Sequence, residues 1–405
     1  MKNILFISPF APYDKVPHAG GKIHNYYIKK FSKESELNVK LVTFASSDEK
    51  KNIDLDKYKI DNTIIYYSDG SVRKDIQRII LNFNSKLNPF HKNGGVCSGF
   101  IKFNVIKKLK NLKKEGYKPD VIVLEWTQIA LLVEEVKNLF KEAKIISLEH
   151  DVSYLKYLRI FQSEKSITKR WFYNNRYKKL YSSELKALSQ ADLVYTLNYK
   201  DKNLILNSNC KVKKLDFICP YYYKFHSSKL EFKNKTIVFF GAMDRRENYE
   251  SCIWFIKNVF LKLVKLDKDY MFYIVGSKPH NSLKRYKSNN IIITGFVNDI
   301  KPYFINSLCI VAPLVSGAGI KIKILEAMSA GCIVLTNEIG IEGIDAKDKK
   351  HYIHCEEPQE YYRAILDVSA RKYNLDKISQ QCRELMETNF NYATSYEKYK
   401  NELLN

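Results

Sequence analysis

Between Pro313 and Gly331 the chain reads Pro-Leu-Val-Ser-Gly-Ala-Gly-Ile-Lys-Ile-Lys-Ile-Leu-Glu-Ala-Met-Ser-Ala-Gly, a glycine-marked loop running into a helix that carries one carboxylate, Glu326. The apolar burst from Leu308 to Ala312 before it has strand length, so the order is strand, loop, helix N-terminus. Such a junction leaves backbone N–H groups aimed at whatever lies above the loop, which suits a phosphate or diphosphate. Gly317 and Gly319 carry no Cβ to hold a ligand off the backbone. On the helix, Ile324, Ala327, Met328 and Gly331 recur at the spacing of one buried stripe. Glu326 lies roughly 200° round from Ile324, away from that stripe. A carboxylate there can accept hydrogen bonds from a ribose diol. Helix geometry alone favours a plainer arrangement, an exposed Glu326 paired with Lys323 one turn earlier.

Two other stretches carry chemistry. Gly20-Gly21 follows the first apolar run, Ile4 to Ser8, and precedes a helix over Ile23 to Phe31. That is either a second phosphate-facing N-terminus or an ordinary turn. Lys169, Arg170 and Trp171, with Lys178 and Lys179, mix cations and aromatics as interfacial helices do. The same helix is also explained by Tyr173, Tyr177, Leu180 and Leu188 packing inward while the lysines solvate the other face.

These residues need a scaffold, and the chain alternates short apolar runs with longer helical stretches, the α/β pattern. Strands are expected at Ile4 to Ser8, Val39 to Phe44, Ile64 to Tyr67, Val121 to Leu124, Ile145 to Leu148 and Leu193 to Leu197. After a polar, proline-marked linker from Cys219 to Lys235, the alternation restarts. The second set of strands is Thr236 to Phe240, Met271 to Val275, Ile291 to Thr294, Leu308 to Ala312 and Ile333 to Thr336. Three of these end on glycine, at Gly241, Gly276 and Gly295. Two open sheets in succession bind ligands at the carboxyl ends of their strands. The reading divides the chain at 1–228, 229–388 and 389–405, the last a helix packing back on the first domain.

A chain of 405 residues with 45% hydrophobic residues buries two or three cores. No run approaches the ~18 consecutive apolar residues of a membrane span, and the N-terminal run is stopped too soon by Pro9 for a signal peptide. The eight cysteines are scattered and should stay reduced in a cytoplasm. Only His351 and His354 lie close together among the histidines, so no metal site is expected. A net charge of +23 attracts nucleic acid, an anionic membrane face or an acidic small molecule. No recognisable nucleic-acid module is present, which leaves the last two.

Taken together these residues resemble the large retaining family 4 of glycosyltransferases with the GT-B fold. The likeness rests on Gly317 to Val334 with Glu326, on Phe239-Phe-Gly241 with Asn248, and on Ile274-Val-Gly276, Gly295-Phe-Val297 with Asp299, and Ala312-Pro313. In the first half it rests on Gly20-Gly21, Glu149-His150-Asp151, and Glu184 leading to Ala191-Asp192. It implies two Rossmann-like doubly wound domains facing a central cleft, with the nucleotide-sugar donor on the second. By that resemblance Glu326 binds the ribose, amides of Gly319 and Ile320 meet the diphosphate, and the loops after Gly276 and at Val297 flank the base. Gly20 and Gly21 close on the phosphates, and His150 contacts the transferred sugar.

Three departures stand out. Ala318 occupies the position of the family's first glutamate, and Ala242 and Glu247 stand where many members have arginine and lysine. The backbone from Gly317 to Gly319 then takes over sugar contacts, and Arg245, Arg246, Lys321 or Lys323 must neutralise the diphosphate. Lys321 is preferred, because Lys323 can pair with Glu326. Glu125, at a first-domain strand end, is the candidate acceptor-side carboxylate. The implied protein is a metal-independent enzyme without a cofactor, using a UDP- or GDP-sugar to extend a lipid-linked or cell-surface glycan in polysaccharide biosynthesis. It is expected in the cytoplasm, peripheral on the inner face of the cell membrane, with no nucleic-acid partner. Two other classes stay open: a non-catalytic nucleotide-sugar-binding component of a glycan assembly complex, and a GT-B sugar-nucleotide epimerase.

Overall fold

The computed structural model describes residues 1–405 except 15, 69, 226–229, 231–233 and 317–318. Its contacts divide into two units, Met1–Tyr221 with Tyr392–Asn405, and Tyr222–Asn391. The first unit holds strands β1 (Lys2–Ser8), β2 (Leu37–Ala45), β3 (Asp61–Tyr66), β4 (Val121–Glu125), β5 (Lys144–Glu149), β6 (Leu193–Thr196) and β7 (Leu215–Phe217). The second holds β8 (Thr236–Phe240), β9 (Met271–Val275), β10 (Ile291–Gly295), β11 (Cys309–Ala312), β12 (Val334–Thr336) and β13 (Ile353–His354). Every pairing is parallel. Helices cover both faces of a parallel sheet, which explains why β4 and β11 are buried at every residue and read as unbroken apolar runs.

The first sheet runs β3-β2-β1-β4-β5-β6-β7 and the second β10-β9-β8-β11-β12-β13. Both are the doubly wound α/β architecture expected from the sequence. In each, the chain turns from one edge to the other beside the first strand, at β1/β4 and at β8/β11. Ligands of such sheets bind outside the strand carboxyl ends at those switch points.

The terminal helix Tyr392–Leu404 packs within the first unit. Tyr399 is fully buried, its ring 5.7 Å from Tyr27 and 5.0 Å from Phe31. Lys400 bonds Glu34 at 2.6 Å, and Lys144 bonds Glu402 at 3.0 Å. After β4 the chain forms two short helices, Trp126–Ala130 and Val133–Leu139, the first beginning directly on the strand end. The second sheet is tightly joined at its strand ends: a Cβ on Gly276, after β9, would fall 1.7 Å from the carbonyl oxygen of Gly241, after β8. Only glycine permits that approach.

Candidate functional site

In the second unit the helix Ile322–Ser329 begins beyond the end of β11, with Lys321 as its N-cap residue. Glu326 is half-buried, and its Oε1 accepts the Tyr223 backbone N–H at 3.4 Å. Gly319 has φ 68° and, like Ile320, keeps partial exposure just ahead of the helix. Gly317 and Ala318, both expected at the donor site, lie outside the described residues. Val297 is partly exposed beyond β10, and Gly276 directly follows β9.

The two lysines have side-chain partners other than those expected. Lys321 Nζ donates to the Gly319 carbonyl and lies 3.6 Å from Glu342, so a carboxylate already balances its charge. Lys323 does not serve as the salt-bridge partner of Glu326; its Nζ donates to Asn248 Oδ1 at 2.7 Å and sits 4.3 Å over the ring of Phe239. The pairing expected within one helix loses to an asparagine on another element, Arg246–Phe255, whose Asn248 also donates to the Ala242 carbonyl at 2.8 Å. Among the described residues both partners of Lys323 are uncharged. Although the residue keeps some exposure, burial of its ammonium end, with Lys321 and Arg245 adding like charge, pushes its pKa down to about 7. Lys323 thus lies at the end of β8, beside the switch point, and among the described residues forms no ion pair; Glu247 is the nearby carboxylate that acts on it, and its field does not offset the burial. Arg245 is half-exposed 3.9 Å from Glu247, and Arg246 is exposed and bonded to Glu250 at 2.7 Å.

In the first unit, the carboxyl ends of β4 and β5 bring Glu125 and His150 together. His150 Nε2 lies 2.8 Å from Glu125 Oε2, and the His24 Nδ1 atom lies 3.2 Å from Glu125 Oε1. The second contact is close but off the hydrogen-bond line. Glu125 is 0% exposed, so it is neither an open carboxylate nor a surface charge; it is the buried holder of two imidazoles. Burial opposes its charge, but His24 and His150 outweigh that and bring the carboxyl down to about 2. His24, which the sequence does not single out, comes from the helix Ala19–Phe31.

Trp126 stacks on His150 with centroids 3.7 Å apart and planes 5° apart. It holds φ 66°, a left-handed conformation costing a non-glycine residue roughly 1–2 kcal/mol. Gly20 makes room for this stack: a Cβ there would fall 2.9 Å from Trp126 and 3.0 Å from His150 Nδ1. Gly21 is not a free phosphate-facing amide, because its N–H donates to His18 Nδ1 at 2.9 Å and caps the helix. His150 Nδ1 is buried and has no hydrogen-bond partner among the described residues. The imidazole is thus oriented by Glu125 at one nitrogen and unengaged at the other, a geometry suited to a substrate hydroxyl.

The loop carrying His150 is anchored by a buried acid pair. Thr127 Oγ1 lies 2.6 Å from Glu149 and 3.1 Å from Glu184, while Glu184 accepts the N–H groups of Ser153 and Tyr154 at 2.8 and 3.0 Å. Burial raises Glu149 to about 7 and, with the nearby Glu149 charge, pushes Glu184 well above the usual carboxylate range. Lys169, Arg170, Trp171, Lys178 and Lys179 are all exposed, whereas Arg176 between them is buried. Among the described residues Glu338, His354 and Glu356 bring ligand atoms within 4.8 Å of one another. His354 therefore has neighbours not seen in the sequence, yet Glu356 is already engaged by the Glu338 N–H at 2.6 Å. No helix among the described residues is long and apolar enough to cross a membrane.

Residues 234–371 match the family described as Glycosyl transferases group 1. An uncharacterized 44.6 kDa protein in the cps region of Klebsiella pneumoniae is 22% identical over 270 residues, covering 63% of this chain and 67% of that protein. Among solved structures, sucrose-phosphate synthase from Thermosynechococcus elongatus is similar with a TM-score of 0.70 and 14% identity, covering 99% of this chain and 98% of that one. HepE from Anabaena in complex with UDP gives 0.66 and 11%, over 100% and 99% of the two chains. TarM from S. aureus, in complex with fondaparinux, alpha-GlcNAc-glycerol and UDP, gives 0.67 and 12%, over 100% of both. At these identities the likeness establishes the GT-B fold over the whole chain.

Proposed function

We propose, on the premise that residues 234–371 form a group 1 glycosyl transferase domain, that this chain is a retaining, metal-independent glycosyltransferase of family 4. It moves a sugar from a UDP- or GDP-sugar to a lipid-linked or cell-surface glycan. The observation that carries the reading is Lys323, a cation held by uncharged partners at the end of β8, on the helix that also presents Glu326. A diphosphate supplies the missing negative charge. The solved relatives with UDP make that nucleotide the first to test, and the relative in a cps region supports polysaccharide biosynthesis.

In this reading Glu326 accepts hydrogen bonds from the ribose hydroxyls, and the Gly319 and Ile320 amides with Lys323 meet the diphosphate. As the anomeric C–O bond breaks, charge collects on the leaving diphosphate. Preset amides and the ammonium stabilise it without reorganising. The acceptor oxygen bonds to the anomeric carbon on the face the diphosphate leaves, and its proton passes to the departing phosphate. His150, oriented by Glu125, receives a hydroxyl of the transferred sugar at Nδ1. Glu125 is thus a positioning residue in place of an acceptor-side base.

Glu326→Ala tests the assignment by calorimetry. Loss of charge-assisted hydrogen bonds worth about 1.5–3 kcal/mol weakens UDP or GDP binding roughly 10- to 100-fold, with the melting temperature of the free protein nearly unchanged. Unchanged nucleotide affinity refutes the ribose role.

A further inference from the structure

The helix Val72–Leu87 is built inside out. Val72, Ile76, Ile79, Ile80, Phe83 and Leu87 are each between 51% and 73% exposed. At 100° per residue they share an arc of about 100°, the width of an apolar stripe that a globular protein turns toward its core. Here that stripe faces out, while Ser85 on the opposite side is buried and Leu81 packs against the core of the first unit. Six large apolar side chains on one exposed face mark an interaction surface and not scattered surface residues.

The helix is also held firmly in this orientation. The buried guanidinium of Arg176 donates to the carbonyls of Ser85 and Lys86, each at 2.7 Å, and to that of Gly94 at 2.7 Å. It thereby satisfies two of the orphan carbonyls at the helix C-terminus. Beyond that end, exposed Phe90 meets exposed Trp171 edge-on at 5.6 Å, so the apolar face continues onto the start of the helix Ile167–Gln190. Cations border it: Arg73 and Lys86 fall on either side of the stripe, and Lys169 and Arg170 adjoin Trp171. The one acidic residue of the helix, Asp75, is paired with Arg78 at 3.3 Å. A groove of about 440 Å³ lies along the helix, lined by Ile79, Phe83 and Leu87 together with Arg78 and Lys86.

We propose that the helix Val72–Leu87, continued by Phe90 and Trp171, docks the protein on an anionic lipid bilayer, apolar stripe inserted and cations at the headgroups. Charge selects this occupant: a second copy would set like-charged rims against each other on a chain of net charge +23, whereas anionic headgroups complement them. The basic residues expected from the sequence to contact a membrane then form the flank of the surface, and its apolar centre lies on another helix. The inference takes from the proposed function only a membrane-borne acceptor, and its test is independent of turnover.

The full chain is floated with vesicles of phosphatidylcholine alone and with about one third phosphatidylglycerol, at about 0.1 M and about 0.5 M salt. Wild type is expected to float with the anionic vesicles at low salt, with at least a tenfold lower bound fraction on neutral vesicles or at high salt. Ile79→Asp with Phe83→Asp is expected to abolish flotation while UDP affinity and melting temperature hold. Arg73→Gln with Lys86→Gln is expected to weaken flotation and flatten its salt dependence. Wild type staying at the bottom overturns the proposal, as does flotation of the double aspartate variant. A concentration-dependent dimer abolished by the same two aspartates also overturns it and assigns the face to a second copy.

Discussion

In the proposed site Lys323, which among the described residues forms no ion pair, makes nucleotide binding depend on pH in a direction set by its burial. In the free protein, burial first and then the like charges of Lys321 and Arg245 lower its pKa from 10.5 to about 7. A diphosphate beside the ammonium restores the charged form and draws a proton onto the amine. Affinity for UDP is therefore full below pH about 7 and falls as pH rises, by roughly 50-fold between pH 7 and pH 9 if the bound-state pKa returns near its ordinary value. The terminal phosphate of UDP, with a pKa of about 6, adds little above pH 7. Folding stability runs the other way. Between about 7 and 10.5 the unfolded chain holds more protons at this lysine than the folded one, so its burial cost is complete below pH 7 and is relieved as pH rises. Calorimetry at pH 8 in buffers of different ionisation enthalpy should show about 0.9 proton taken up per UDP bound. In Lys323→Met both the uptake and the pH slope vanish, and UDP binds more weakly at pH 7. A pH-independent Kd from 7 to 9 with no proton uptake in wild type would show that Lys323 does not meet the diphosphate.

Glu125→Gln keeps a hydrogen bond to one imidazole but removes the charge that orients both, so turnover should fall about 10- to 100-fold with UDP affinity unchanged. A loss of UDP affinity alone would place Glu125 elsewhere. Glu149→Gln relieves the buried acid pair: a carboxyl raised to about 7 costs stability as pH climbs from its unfolded value of 4.5 through 7. The variant should be more stable than wild type at pH 8, by about 1–3 kcal/mol, and the gain should disappear by pH 4. Equal melting temperatures at pH 8 contradict an acid pair kept partly protonated.

Legibility in the sequence follows burial. Largely buried strands, such as Thr236–Phe240 and Met271–Val275, are mostly apolar runs and can be read to the residue. Leu215–Phe217 and Ile353–His354 complete the sheet edges but are too short to show any period. The outward face of Glu326 follows from helix spacing alone. The direction of Lys323 does not, because its partner Asn248 lies 75 positions away and outcompetes the neighbour one turn along. His24 sits among Tyr26, Tyr27 and Ile28 and has the sequence context of a core residue, which by burial it is. Its contact with Glu125 is visible only once two strands and a helix are assembled. The apolar period of Val72–Leu87 is present in the sequence, but periodicity marks a helix face without saying whether core or solvent receives it.

Incubating the protein with UDP- and GDP-sugars and a glycan or lipid-linked acceptor, and following the anomeric proton by NMR, decides whether the chain transfers sugar with retention. Nucleoside diphosphate release is expected together with a product that keeps the anomeric configuration of the donor, lost in Glu326→Ala. Tight nucleotide binding without release or transfer across the panel, or a product of inverted configuration, would contradict it.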